Sequence, residues 1–127
     1  MIKYEAHFIT SVLLPYLSAN PIGNALWEAK HTKGKDFLPF SAVEDHQVRW
    51  LHNARISAIS YKISDDARGQ KPSDGFSLEK SNAYIIIKYP DFFCFIDILD
   101  YEKEERTSTR RSLTSKRARE IACKIIL

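Results

Sequence analysis

The chain has 127 residues, 44% hydrophobic and 12% aromatic, which is enough to build a core and excludes a disordered tail. Its length is that of one domain, residues 1–127, and no apolar run nears the roughly 20 residues that cross a bilayer. Nineteen Lys and Arg against 16 Asp and Glu give a net charge of +3, which permits an anionic partner without requiring one.

No secretory leader is expected, so we read the protein as cytoplasmic. Cys94 and Cys123 lack metal-type spacing and read as reduced core thiols.

From Lys3 to about Tyr16, the residues Tyr4, Phe8, Val12 and Leu13 recur at roughly helical spacing. Pro15 is expected to bend or end this helix. Glu5 would sit in its first turn, where a carboxylate suits the helix dipole. It is also a candidate outer ligand of a metal, should a site lie beside it. Ser18 to Gly23 reads as a turn.

Asn24 to Lys30 reads as a short strand, apolar until two charges at its end. Side chains alternate in a strand, so Glu28 and Lys30 share one face and Ala25, Trp27 and Ala29 the other. A carboxylate and an ammonium in such a place are costly to bury without work to do. Holding a divalent cation, with the lysine orienting or activating a water against a phosphate, would be that work. A surface ion pair is the plainer alternative.

His31 to Asp36 is a polar loop, and Lys30, Lys33 and Lys35 fall within six residues. Such a loop suits a phosphate backbone, or is a solvated turn. A helix is expected from Ser41 to about Ala54, entered by a capping box of Ser41 and Glu44. Val43, Gln47, Trp50, Leu51 and Ala54 would form its buried stripe. Gln47 is the polar member. It would complete a structural network, or hold a catalytic water or the nearby lysine.

Glu28-Ala29-Lys30-His31-Thr32-Lys33-Gly34-Lys35, then Leu38-Pro39-Phe40, then His46-Gln47 and Leu51, resembles the RecU-type Holliday junction resolvases and their phage relatives. These belong to the PD-(D/E)xK nuclease superfamily. The likeness covers about residues 25 to 55. It implies a restriction-endonuclease-like α/β core, a mixed sheet flanked by helices. It also implies cleavage of DNA phosphodiesters with Mg2+ (or Mn2+), action as a homodimer, and a bacterial or phage-infected host cell. Carried over by residue, Glu28 is a metal ligand, Lys30 the catalytic lysine and Gln47 an active-site support, with Glu5 a loose match to a first-helix glutamate. The superfamily also places an aspartate on a strand before this motif. Here no aspartate precedes Asp36.

Arg55 to Ile63 alternates like a strand, and a polar turn, Ser64 to Gln70, follows. Asp74, two residues after Pro72 and just before Gly75, is the candidate for a displaced metal ligand. It also reads as an ordinary turn aspartate. Asp65 and Asp66 are weaker candidates. Residues 83 to 89 and 92 to 98 read as an apolar hairpin around Pro90-Asp91, central to the sheet.

From Tyr101 onward, eight Lys and Arg face four Glu. Thr114 or Ser115 would cap a last helix with Ala118, Ile121, Ala122 and Ile125 on one face. Arg110, Arg111 and Lys116 are candidate nucleic-acid contacts, alongside Lys33 and Lys35. A solvated amphipathic helix is the competing reading. The favoured function is a metal-dependent endonuclease acting on branched DNA, the Holliday junction above all. The alternative is a non-catalytic DNA-binding module that keeps the fold but has lost a ligand.

Overall fold

The computed structural model describes residues 2–23, 25–56, 59–62, 75–78 and 81–127. Asp65, Asp66 and Asp74 lie outside the described residues. The chain opens with α1 (Ile2–Phe8), a π-turn (Ile9–Leu13) and α2 (Leu14–Ala19). The helix therefore passes Pro15 rather than ending there. Leu14 N–H donates to the Ile9 carbonyl, five residues back, so the turn just before the proline is wider than an α-helical one.

β1 (Ala25–His31) follows, then β2 (Phe37–Pro39), a 3₁₀ turn (Phe40–Ala42) and α3 (Asp45–Ile56). The Ser41–Glu44 capping box does not form. Val43 is extended, and the helix starts only at Asp45. A stripe counted from Val43 is thus out of phase, which is why Trp50 is 53% exposed while Leu51 and Ala54 are buried. The helix also runs on through Arg55, where a strand was expected. β3 (Ile59–Lys62) and β4 (Gly75–Leu78) form a separate antiparallel pair.

The apolar hairpin is β5 (Asn82–Lys88) and β6 (Phe93–Asp97), paired antiparallel as expected. Next comes α4 (Ile98–Thr107), which the charge-rich sequence concealed. Asp97 caps it, its carboxylate accepting from the Leu99 N–H at 2.9 Å. β7 (Ser112–Thr114), α5 (Ser115–Ile121) and β8 (Lys124–Ile126) complete the described elements. Thr114 does cap α5, accepting from the Arg117 N–H at 3.2 Å. Ile125, expected on that helix, lies instead in β8.

The main sheet is mixed, in the order β1-β5-β6-β8, with β1 parallel to β5 and the other pairs antiparallel. A parallel pair needs a long crossover, and the path from β1 to β5 includes α3. Helices cover both faces. Leu51, Ile98, Tyr101 and Ala118 meet Ile85, Ile87, Cys94 and Ile96 on one face. Phe8 and Leu13 meet Ala29, Ile86, Phe93 and Phe95 on the other. Each fully buried isoleucine here contributes about 1.5–3 kcal/mol by leaving water, which sets β5 and β6 as the rigid centre. No helix among the described residues is long and apolar enough to cross a membrane.

Candidate functional site

β1 is an edge strand of the main sheet, and it places Glu28 beside Ile85 and Lys30 beside Ile87. The alternation holds: Ala29 points to the opposite core cluster, with Trp27 packed against it. Lys30 is only 8% exposed. Its Nζ lies 3.7 Å from Glu28 Oε2, an ion pair too long for a hydrogen bond. A buried ammonium costs several kcal/mol unless compensated, and a pair at this distance compensates it only in part.

Lys30 also reaches the wall of a cavity of about 470 Å³. Glu5, His31, Thr32, Lys33, Lys35, Phe37, Leu38, Pro39 and Ala42 form the rest of that wall. The structure therefore brings Glu5, Lys30, Lys33 and Lys35 to one wall, and Glu28 is not among its residues.

The shape of the wall comes from a tight turn. Lys33 and Gly34 both have positive φ, 58° and 82°, and the Lys35 N–H donates to the Thr32 carbonyl at 3.2 Å. This is the pattern of a type I′ turn, and it holds a lysine in a region that costs a non-glycine residue about 1–3 kcal/mol. Lys33 N–H donates to His31 Nδ1 at 2.7 Å. A backbone N–H can only donate, so Nδ1 accepts and the neutral ring carries its proton on Nε2. Burial first, then Lys88, His7 and Lys33, holds the His31 pKa below its ordinary value. Thr32 is 4% exposed, and its hydroxyl has no hydrogen-bond partner among the described residues. Such an orphan costs about 1–3 kcal/mol. Neither His31 nor Thr32 was singled out from sequence. The Lys33-Gly34 turn beside them was the available signal.

Gln47 stands apart from this cavity's wall. Its Oε1 accepts from the Glu44 N–H at 3.0 Å, capping the start of α3. This bond is the structural role that was one of the two expected for Gln47. Gln47→Ala should therefore lower stability by about 1 kcal/mol in urea titrations. Gln47→Glu, which keeps the acceptor, should restore it.

Among the described residues, no three His, Cys, Asp or Glu side chains cluster as a metal-ligand group. Glu28 keeps a half-buried carboxylate, with Lys30 beyond hydrogen-bond range. Mg2+ is commonly held by one or two carboxylates, with waters and substrate phosphates filling its shell. Glu28 fits such a cation shared with a phosphate, rather than a cage built from protein alone.

Burial pushes the Cys94 thiol up to about 12. Cys123 is exposed, not in the core as expected, and its Sγ donates to the Phe95 carbonyl at 3.3 Å.

The second basic segment is tied to the first. β2 pairs with β7, and the Phe40 N–H donates to the Arg111 carbonyl at 3.0 Å. Ser115 donates to Asp36 through both its N–H, at 2.8 Å, and its hydroxyl. Lys35 and Lys116 each adjoin that clasp in sequence. Arg110 and Lys116 line a second cleft, also of about 470 Å³, with Thr107, Ser108 and Ser112. Arg111 is exposed but is not part of that wall.

Other cations nearby are committed. Arg117 bonds Glu104 and Glu120, each at 2.9 Å, and Arg119 lies 4.1 Å over the Phe92 ring. Arg110, Arg111 and Lys116 make no ion pair among the described residues. Compared with known proteins, the chain matches no family model, and no curated protein is detectably similar to it.

Proposed function

We propose that the protein is a metal-dependent DNA endonuclease with a restriction-endonuclease-like core, acting on branched DNA. One observation carries the reading. A lysine is buried at the end of a strand, its carboxylate partner on the same face is held just out of hydrogen-bond range, and a basic turn walls the cavity it reaches. The Glu28-Ala29-Lys30 run and its likeness to the RecU-type resolvases support the same reading, as does the parallel β1–β5 pair joined across α3.

In this account Glu28 would hold Mg2+, with Asp74 the proposed second carboxylate. A Mg2+ bound there would supply Lewis acidity to the phosphate and to a water. Water attacks phosphorus and a DNA hydroxyl leaves. Lys30 sets its charge against the charge growing on the phosphoryl oxygens, in a site that needs no reorganisation because the ammonium is already in place. Lys33 and Lys35 hold the adjoining phosphates, and Arg110, Arg111 and Lys116 extend the track.

The test is cleavage of a labelled four-way junction and a matched linear duplex with Mg2+ or Mn2+. Cutting near the branch is expected. Binding without cutting would favour the non-catalytic DNA-binding module instead.

A four-way junction is resolved by symmetric cuts on two strands, and one small site does not make both without rebinding. We therefore expect a two-fold homodimer. Light scattering at micromolar concentration should give twice the chain's 14.7 kDa. A monomer mass with and without junction DNA would remove the case for resolution and leave simple nicking.

A further inference from the structure

The cavity beside Lys30 has two unlike walls. The turn from His31 to Lys35 makes one cationic, while Phe37, Leu38, Pro39 and Ala42 make the other apolar. A plain backbone track needs only the first kind. Phe37 is large and apolar, yet it remains 39% exposed on this rim.

We propose that the cavity receives one unstacked nucleotide of the DNA, with its phosphate on the Lys33–Lys35 turn and the His31 Nε2–H and its base on the Phe37 ring. The identity of the ligand as DNA rests on the function proposed above. The cavity, about 470 Å³, falls within the range that single small ligands occupy. A nucleotide is also the smallest piece of DNA that carries both an anion and a flat apolar face.

Three further features agree. The Lys33 N–H fixes the His31 tautomer, so the ring offers a neutral donor while the lysines supply the charge. Thr32 lies on the same wall with a buried hydroxyl that has no partner among the described residues, and a ligand oxygen that reached it would provide one. Among the described residues, Glu5 is the one acid on the wall. It repels phosphate from its own side and can accept from an amino group on the base. A stacked duplex cannot deliver a base to such a cavity. A branch point can, because its bases are the cheapest to unstack.

The experiment titrates the protein with 2′-deoxyadenosine 5′-monophosphate, inorganic phosphate and 2′-deoxyadenosine, following the histidine ring protons by NMR. The nucleotide should shift His31 and leave His46 and His52, on α3, unmoved. Phe37→Ala should weaken the nucleotide about tenfold and leave inorganic phosphate unchanged. Phe37→Leu keeps an apolar side chain on β2, and it should show the same loss if the ring is what binds the base. Thr32→Val should weaken both phosphate-bearing ligands. No nucleotide-dependent shift at His31, or equal affinity in wild type and both Phe37 variants, would overturn the proposal. The readout is independent of cleavage. An inactive protein that binds the nucleotide refutes only the hydrolytic reading, and an active one that does not bind it refutes only the pocket.

Discussion

Glu28→Ala should abolish Mg2+-dependent cleavage of branched DNA, by on the order of 10³-fold or more. The variant removes the one described carboxylate that pairs with Lys30. Its cost to folding must be read in the same experiment, because it strands an ammonium that is 8% exposed. Breaking a buried pair costs about 3–5 kcal/mol, and the 29% exposure of the Glu28 side chain and the 3.7 Å separation place this pair below that range. Glu28→Gln keeps the shape and hydrogen-bonding capacity, so it separates lost chemistry from lost stability. Thermal melting beside the cleavage assay decides between them. A folded Glu28→Ala protein that cuts at the wild-type rate would remove Glu28 from the site.

The second large effect is on DNA binding. Arg110 and Arg111 are exposed, make no ion pair among the described residues, and follow the end of α4 on a short loop whose Arg111 carbonyl accepts from the Phe40 N–H, just after β2. Replacing both with alanine should weaken DNA binding uniformly across sequences. The plot of log affinity against log salt should become shallower by about two, because each phosphate contact contributes about 0.9. Binding isotherms at several salt concentrations give the slope directly. An unchanged slope would take both arginines out of the interface and leave the track to Lys33, Lys35 and Lys116.

What the sequence made legible was local. The runs of isoleucine and phenylalanine around Pro90-Asp91 announced β5 and β6 because continuous apolar stretches of that length suit the middle of a sheet. Glu28 and Lys30 on one face followed from the period of a strand. Thr114 as a cap followed from its place before a helical pattern.

The rest depended on partners far along the chain. Helix α4 was hidden because Glu104 looks like surface, and it is buried only by pairing with Arg117 from α5. The exposure of Trp50 turned on where α3 starts, which Val43 obscured. Gln47 drew a catalytic reading because an amide on an apolar stripe stands out, whereas a capping bond to Glu44 explains it locally. No local pattern shows that β2 pairs with β7, yet that pairing brings the two basic segments to one region.

The most direct test of the central claim is to measure DNA affinity and cleavage together in Lys30→Met. Methionine suits a buried position and removes the charge without leaving a hole. If Lys30 stabilises charge developing at phosphorus, junction affinity should stay within about threefold of wild type while cleavage falls by on the order of 10²-fold or more. Cleavage at the wild-type rate, or a loss of affinity that matches the loss of cleavage, would contradict the assignment of Glu28 and Lys30 as a hydrolytic centre.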